Sequence, residues 1–293
     1  GSARAPTCPT STACAGSTPT PSWRPRGTCS HMPGAISGAT PTLAIAGARA
    51  TVTLNRPDQH NRLEPADVEA LRAITAELRE RAEVRVAIFT AAGPTFSAGY
   101  HLGALAETGM ASQATGSPTD LIAVIDQIET LPMPTIAAVN GSLYGGGLDL
   151  ALACDFRIGV TPSRAFIPIA RIGAQYPDAS IHRLVTRAGA AAARRLLIAG
   201  ETIDAAAMVA SGILDDAVEP ADLAGRIEVL AASIERQAPL STRATKLVIA
   251  DIARADYDAA AARASADALQ RSADHQEGLA ALREKRTPDF QGR

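Results

Sequence analysis

The stretch from Thr135 to Cys154 constrains the fold of this 293-residue chain more than any other. Thr135 to Val139 reads as a buried strand that runs into Asn140-Gly141, then into Gly145-Gly146-Gly147 and the apolar run 148–153. Glycines this dense let the backbone turn sharply and pack closely, and the run behind them is expected to be a helix over about 146–153. A strand that feeds a buried helix through such a turn belongs to a chain alternating the two, which marks an α/β domain.

The same order occurs upstream. Residues 43–45 and 50–54 read as a hairpin around Gly47, followed by a turn-rich linker, Asn55 to Leu63, in which Pro57 bars continuation of the strand. Val68, Leu71, Ile74 and Leu78 recur at helical spacing after Pro65, predicting a helix over about 65–82. Residues 84–90 are a nearly continuous β-branched and apolar run, as expected of a strand buried on both faces, and Gly93-Pro94 ends it. Residues 121–128 carry helical spacing, 156–159 read as another strand, and 107–118 read as a mobile loop. Strand, helix and strand in this order imply right-handed crossovers within one sheet.

Past Arg183 the pattern is helical: 190–197, 204–211, 222–237 and one long alanine-rich stretch over 240–271, punctuated by Gly200, Gly212 and Pro239. Residues 1–41 are rich in Ser, Thr, Pro, Ala, Arg and Gly and cannot bury enough surface to offset their ordering entropy. The expected division is therefore a disordered or cloning-derived segment over 1–38, an α/β core over 39–199 and a helical region over 200–293, with Met32 opening the regular part.

With 28 basic and 30 acidic residues the net charge is −2, so no global field points to nucleic acid or an anionic membrane as partner. No apolar run reaches eighteen residues, and a soluble, cytosolic protein is expected. Cys8, Cys14 and Cys29 lie in the N-terminal segment, leaving Cys154 alone in the globular part as a small buried thiol rather than half of a disulfide. His60, His182 and His275 lack metal-ligand spacing, so no metal site is expected.

A second small-residue turn, Thr95-Phe96-Ser97-Ala98-Gly99-Tyr100-His101-Leu102, precedes the triple glycine by about fifty residues. Together with Asn55-Arg56-Pro57, the segment Asn140 to Asp149, Arg183-Leu184 and a closing segment from Asp274 through Phe290, it stands in an order that resembles the crotonase family, also called enoyl-CoA hydratase/isomerase. The resemblance implies a spiral of repeated ββα units with a C-terminal helical layer used in trimerisation. It further implies an acyl-CoA substrate, with coenzyme A arriving as part of that substrate rather than as a resident cofactor, and a homotrimer or dimer of trimers. In that family two backbone N–H groups grip the thioester oxygen and stabilise an enolate. By position these are expected from Ala98 and Gly146, the latter aided by the dipole of its helix.

The expected acid–base set departs from the family's hydratases, which place one glutamate three residues after the middle glycine and another twenty residues later. Here those positions hold Asp149 and Ile169. Asp keeps the carboxylate with its reach shortened by about 1.5 Å, whereas Ile offers no proton. One carboxylate suits double-bond isomerisation better than hydration. Asp178, His101 or Tyr176 could supply a second group, each with a plain surface or supporting role as its alternative, and Asp178 stands with Asp149 as the expected catalytic pair. For coenzyme A, Gln59 stands where relatives carry a lysine, and Arg62 is expected to take over the phosphates. Tyr100 and Leu102 are expected along the pantetheine channel, Gly99 and His101 among the substrate or CoA contacts, and Lys285 or Arg286 near the nucleotide. Two other classes remain in view: a catalytically degenerate member that binds CoA esters or assembles with another subunit, and a Rossmann-type binder, disfavoured by the glycine spacing.

Overall fold

The computed structural model describes residue 1 and residues 39–101 and 116–293. The expectations for residues 2–38 and for Leu102, and nearly all of that for the loop 107–118, lie outside the described residues.

The chain opens with the expected hairpin, β1 (Thr42–Ala46) antiparallel to β2 (Arg49–Leu54), then a two-residue strand β3 (Arg62–Leu63) and helix α1 (Pro65–Glu80). From there it winds in repeated units. The first is β4 (Val86–Ala91), β5 (Thr95–Ser97), the short β6 (Gly99–Tyr100) and α2 (Pro118–Glu129). The second is β7 (Thr135–Val139), β8 (Ser142–Tyr144) and α3 (Gly146–Ala153). The third is β9 (Phe156–Val160), β10 (Arg164–Phe166) and α4 (Asp178–Leu197). The leading strand of each unit joins a six-stranded sheet of order β1-β2-β4-β7-β9-β12, where β12 is Asp216–Val218, and its second strand joins a four-stranded sheet of order β11-β10-β8-β5, where β11 is Ile203–Asp204. Neighbours from successive units pair in parallel, which two strands of one sheet can do only through a crossover connection. This is the expected spiral of ββα units.

The centre of the large sheet, β4, β7 and β9, is buried on both faces because those strands are apolar on both. Ala87 and Phe89 of β4 face the main core with α1 to α4, while Val86 and Ile88 face a second cluster with Leu223, Ile227 and Ala231. Cys154 lies in the main core, where burial and then the nearby Asp155 charge push its thiol up to about 12, so it is the inert thiol expected.

Three features differ from expectation. Region 200–293 is not purely helical: β11 (Ile203–Asp204) completes the small sheet and β12 (Asp216–Val218) edges the large one, around α5 (Ala205–Ala210). After α6 (Leu223–Glu235), the long helix expected over 240–271 is two, α7 (Pro239–Ala253) and α8 (Ala259–Gln270), followed by α9 (Ala273–Glu284). The break falls at Ala255, held at φ 57°, and Asp258 caps α8 by accepting from the N–H groups of Ala260 and Ala261. Helix α4 also begins at Asp178, twelve residues before the expected start, with a non-helical Gly189 inside it.

Candidate active site

The two small-residue turns touch. Gly99 has φ 78°, and a Cβ there would lie 2.5 Å from the Tyr144 carbonyl and 3.0 Å from the Gly146 nitrogen, so only glycine lets the first turn lie against the second. The first turn is tied down by Asn61, whose side-chain amide donates to the carbonyls of Ala92 and Thr95 at 2.8 and 2.7 Å. The Asn55-Arg56-Pro57 signature is structural here: Arg56 Nε donates to the buried Asp67 at 2.8 Å, and Asp67 in turn accepts the Glu64 N–H in the capping box of α1.

Between the turns opens a cavity of about 380 Å³. Ala98, Gly99, Tyr100, Gly146 and Asp149 all lie on it, as do Ile169 and Tyr176. Most of the remaining wall is apolar, from α2 and from the segment through Phe166 and Ile172. Among the described residues, Asp149 is the one charged side chain on this wall.

The backbone donors need a correction. The N–H of Ala98 is not available, because it donates to the His60 carbonyl at 2.8 Å. The N–H of Gly99 is taken by Ser97 Oγ at 3.1 Å. His101 N–H closes the ladder to β3 by donating to Leu63 at 3.0 Å. Since N–H groups alternate sides along a strand, that of Tyr100 points away from β3. Its nitrogen lies close to Gly146, whose Cβ, if it had one, would sit 3.6 Å away. Gly146 opens α3, and a first-turn N–H has no intrahelical acceptor. Tyr100 and Gly146 are therefore the candidate donor pair, and both line the cavity.

Asp149 is 2% exposed and both its oxygens are engaged. Ser180 Oγ donates to Oδ2 at 2.5 Å, and Arg183 Nη1 donates to Oδ1 at 2.6 Å. Arg183 is itself buried and also reaches Asp126 and Glu129, the latter at 3.3 Å. Burial pulls the Arg183 guanidinium down, but the carboxylates of Asp149 and Glu129 outweigh it and hold the group above its ordinary value. Arg183 was legible only as part of the Arg183-Leu184 signature and Ser180 not at all, since the contacts span 34 and 31 residues and leave no periodic trace.

The second-glutamate position is apolar in space as in sequence: Ile169 is 8% exposed and lines the cavity on a 3-10 turn, Ile169–Ile172. Asp178 is exposed at the start of α4, accepts the N–H of Ala179 at 3.0 Å and does not line the cavity. Tyr176 does line it, nearly buried, its hydroxyl donating to the Gly145 carbonyl at 2.9 Å. His101 is half-buried next to β6 but off the cavity wall. Gln59 is exposed, and Arg62 is committed to Glu64 at 2.6 Å. Arg286 pairs with Glu277 and Glu284 at 2.5 and 2.6 Å, beside an exposed Lys285.

A family model described as enoyl-CoA hydratase/isomerase matches residues 45–293. The chain belongs to the enoyl-CoA hydratase/isomerase family. It is 31% identical over 264 residues to (E)-benzylidenesuccinyl-CoA hydratase of Thauera aromatica, covering 86% of this chain and 98% of that protein. It is likewise 31% identical over 248 residues to 2,3-dehydroadipyl-CoA hydratase of Escherichia coli strain K12, covering 83% and 94%. Among solved structures it resembles the enoyl-CoA hydratase of Bacillus anthracis with a TM-score of 0.80 and 29% identity, covering 87% of this chain and all of that one. The crotonase resemblance drawn from the ordered motifs is thus confirmed, and with it an enzyme of the enoyl-CoA hydratase/isomerase type. No helix among the described residues is long and apolar enough to cross a membrane.

Proposed function

We propose that this protein transfers a proton at the carbon beside the thioester carbonyl of an acyl-CoA through an enolate, as an isomerase or an atypical hydratase-like lyase. The observation that carries the reading is one cavity lined by Tyr100, Gly146 and Asp149, with Ile169 where a second carboxylate would stand. In an isomerisation, Asp149 removes a proton from C2 and the electron pair moves onto the thioester oxygen, between the two N–H donors. The same proton then returns to C4 as the double bond shifts. Each carboxylate oxygen has a lone pair beyond those that Ser180 and Arg183 occupy, so Asp149 can accept it. Preorganised donors act on charge that develops only during reaction, which is where stabilisation accelerates it.

The acyl chain is read as neutral and apolar, because the lining side chains Leu121, Ile122, Ile125, Phe166, Ile167 and Ile172 offer a terminal charge no counter-ion. Coenzyme A enters as part of the substrate. A homotrimer or dimer of trimers, working in the cytosol, completes the reading; large apolar side chains exposed on the C-terminal helices, Ile249 at 55%, Ile252 at 58% and Leu282 at 77%, support self-association.

The test is exchange of the α-proton of a neutral acyl-CoA with deuterated solvent, expected for the wild type and abolished in Asp149→Asn. Exchange that survives this change removes Asp149 from its role. A second reading, a CoA-ester binding or assembly subunit with poor turnover, is favoured by Ile169 and by the double engagement of Asp149. Tight coenzyme A binding without exchange on any acyl-CoA would decide for it.

A further inference from the structure

The reaction drawn above leaves one buried polar group on the cavity wall unused. The Tyr176 hydroxyl donates to the Gly145 carbonyl at 2.9 Å. That same oxygen accepts the N–H of Leu148 at 3.0 Å and of Asp149 at 3.2 Å, while the Gly145 N–H donates to the Phe166 carbonyl at 3.1 Å. Gly145 takes φ 48° and ψ −120°, a conformation that glycine alone adopts readily, so little in the residue itself holds the turn in one shape.

The peptide unit joining Gly145 to Gly146 is planar, so fixing its oxygen fixes the direction of its N–H, and that N–H is the Gly146 donor. Two of the three hydrogen bonds on the oxygen come from α3 and move with it. The Tyr176 hydroxyl comes from another segment, just before α4, and references the peptide to the rest of the fold. Four and seven residues further on, Ser180 and Arg183 reach Asp149 from successive turns of α4. A single segment, 176–183, therefore braces both the donor turn and the carboxylate.

We infer that Tyr176 is a positioning residue for the oxyanion site, its hydroxyl clamping the Gly145–Gly146 peptide so that the Gly146 N–H faces the thioester oxygen. The inference rests on reading Gly146 as a donor. Burial, and then the neighbouring Asp149 charge, push the Tyr176 phenol well above its ordinary value, which keeps the hydroxyl protonated and donating at any working pH.

The test is Tyr176→Phe, which keeps the ring and removes the hydroxyl, with Tyr176→Met as a second hydroxyl-free variant should the first not fold. The probe is trans-cinnamoyl-CoA carrying 13C at the thioester carbonyl, whose stretching frequency falls as the oxygen is polarised. The wild type is expected to lower the band relative to the free thioester. The variant should return it part-way toward the free value and reduce kcat for α-proton exchange of a reactive acyl-CoA about tenfold, with KM within a factor of two, as a misaligned rather than missing donor implies. An unchanged band and kcat in a folded variant overturn the inference. So does a lower kcat with an unmoved band, which would make Tyr176 a direct proton carrier. A wild type that leaves the band at its free frequency overturns the donor reading itself, and this inference falls with it.

Discussion

Arg183 Nη1 lies 2.6 Å from Asp149 Oδ1, with the two side chains 3% and 2% exposed. An ion pair so deeply placed has lost most of its hydration, and removing one partner leaves the other charged and uncompensated. Arg183→Met, which keeps the volume and drops the charge, is expected to lower unfolding free energy by about 3–5 kcal/mol in urea titrations. A stability loss below about 1 kcal/mol would mean that the pair is not buried as described.

Gly146→Ala tests the donor pair by filling the space between its members. The added Cβ would lie 3.0 Å from Leu121 Cδ2 and 3.6 Å from the Tyr100 nitrogen. Leu121 can give a few tenths of an ångström, so the fold should persist. The methyl group, however, intrudes where the thioester oxygen belongs, and kcat for α-proton exchange should fall about 10²–10³-fold, the usual effect of losing one oxyanion donor. A rate within threefold of the parent would place the reacting oxygen elsewhere.

Ile169→Glu asks whether the missing second carboxylate limits the reaction. The side chain would enter an apolar wall, and burial would keep it largely protonated near neutrality, fit to serve as an acid. Hydration of a 2-enoyl-CoA, relative to α-proton exchange, is expected to rise at least about tenfold. The ratio, measured by product analysis in parallel incubations, should not move if hydration already proceeds by a route that needs only Asp149.

Glu129 gives the fold a sensitivity to acid. Burial pushes its carboxyl up, but Arg183, Arg254 and Arg187 outweigh burial and the net value lies below the ordinary one. A carboxyl with a depressed folded pKa stabilises fully above its unfolded value, roughly 4.3 for glutamate, and loses that contribution as pH falls through the folded value. Glu129→Gln should therefore be less stable than the parent at pH ~7, and the gap in urea midpoint should close on acidification below about pH 4. A gap that widens there would reverse the assigned sign.

The legible parts of this protein were those written in runs. The strand 135–139 and the helix 146–153 were bounded correctly because a β-branched apolar run and a glycine turn leave little choice. Strands β11 and β12, of two and three residues, were not seen, since their pairing depends on β10 and β9 rather than on any pattern of their own. The Ala98 expectation failed at Gly99: its left-handed φ of 78° breaks the alternation of N–H directions, and sequence spacing cannot reveal which amide then faces inward. Asp149 could be found from its place after the glycines, yet the Ser180 and Arg183 contacts that govern it come from a helix whose start was read twelve residues late.

The winding of the chain through both sheets has a consequence for the chemistry. Tyr100 belongs to one coil and Gly146 to the next, and β5 and β8, which pair Thr95 with Ser142 and Ser97 with Leu143, lie just before them. A slip of one residue in that pairing would carry one amide about 3.3 Å past the other. On the proposed donor reading, turnover is thus a gauge of threading: a molecule whose coils were wound one notch out of step would hold its two amides apart and fall silent.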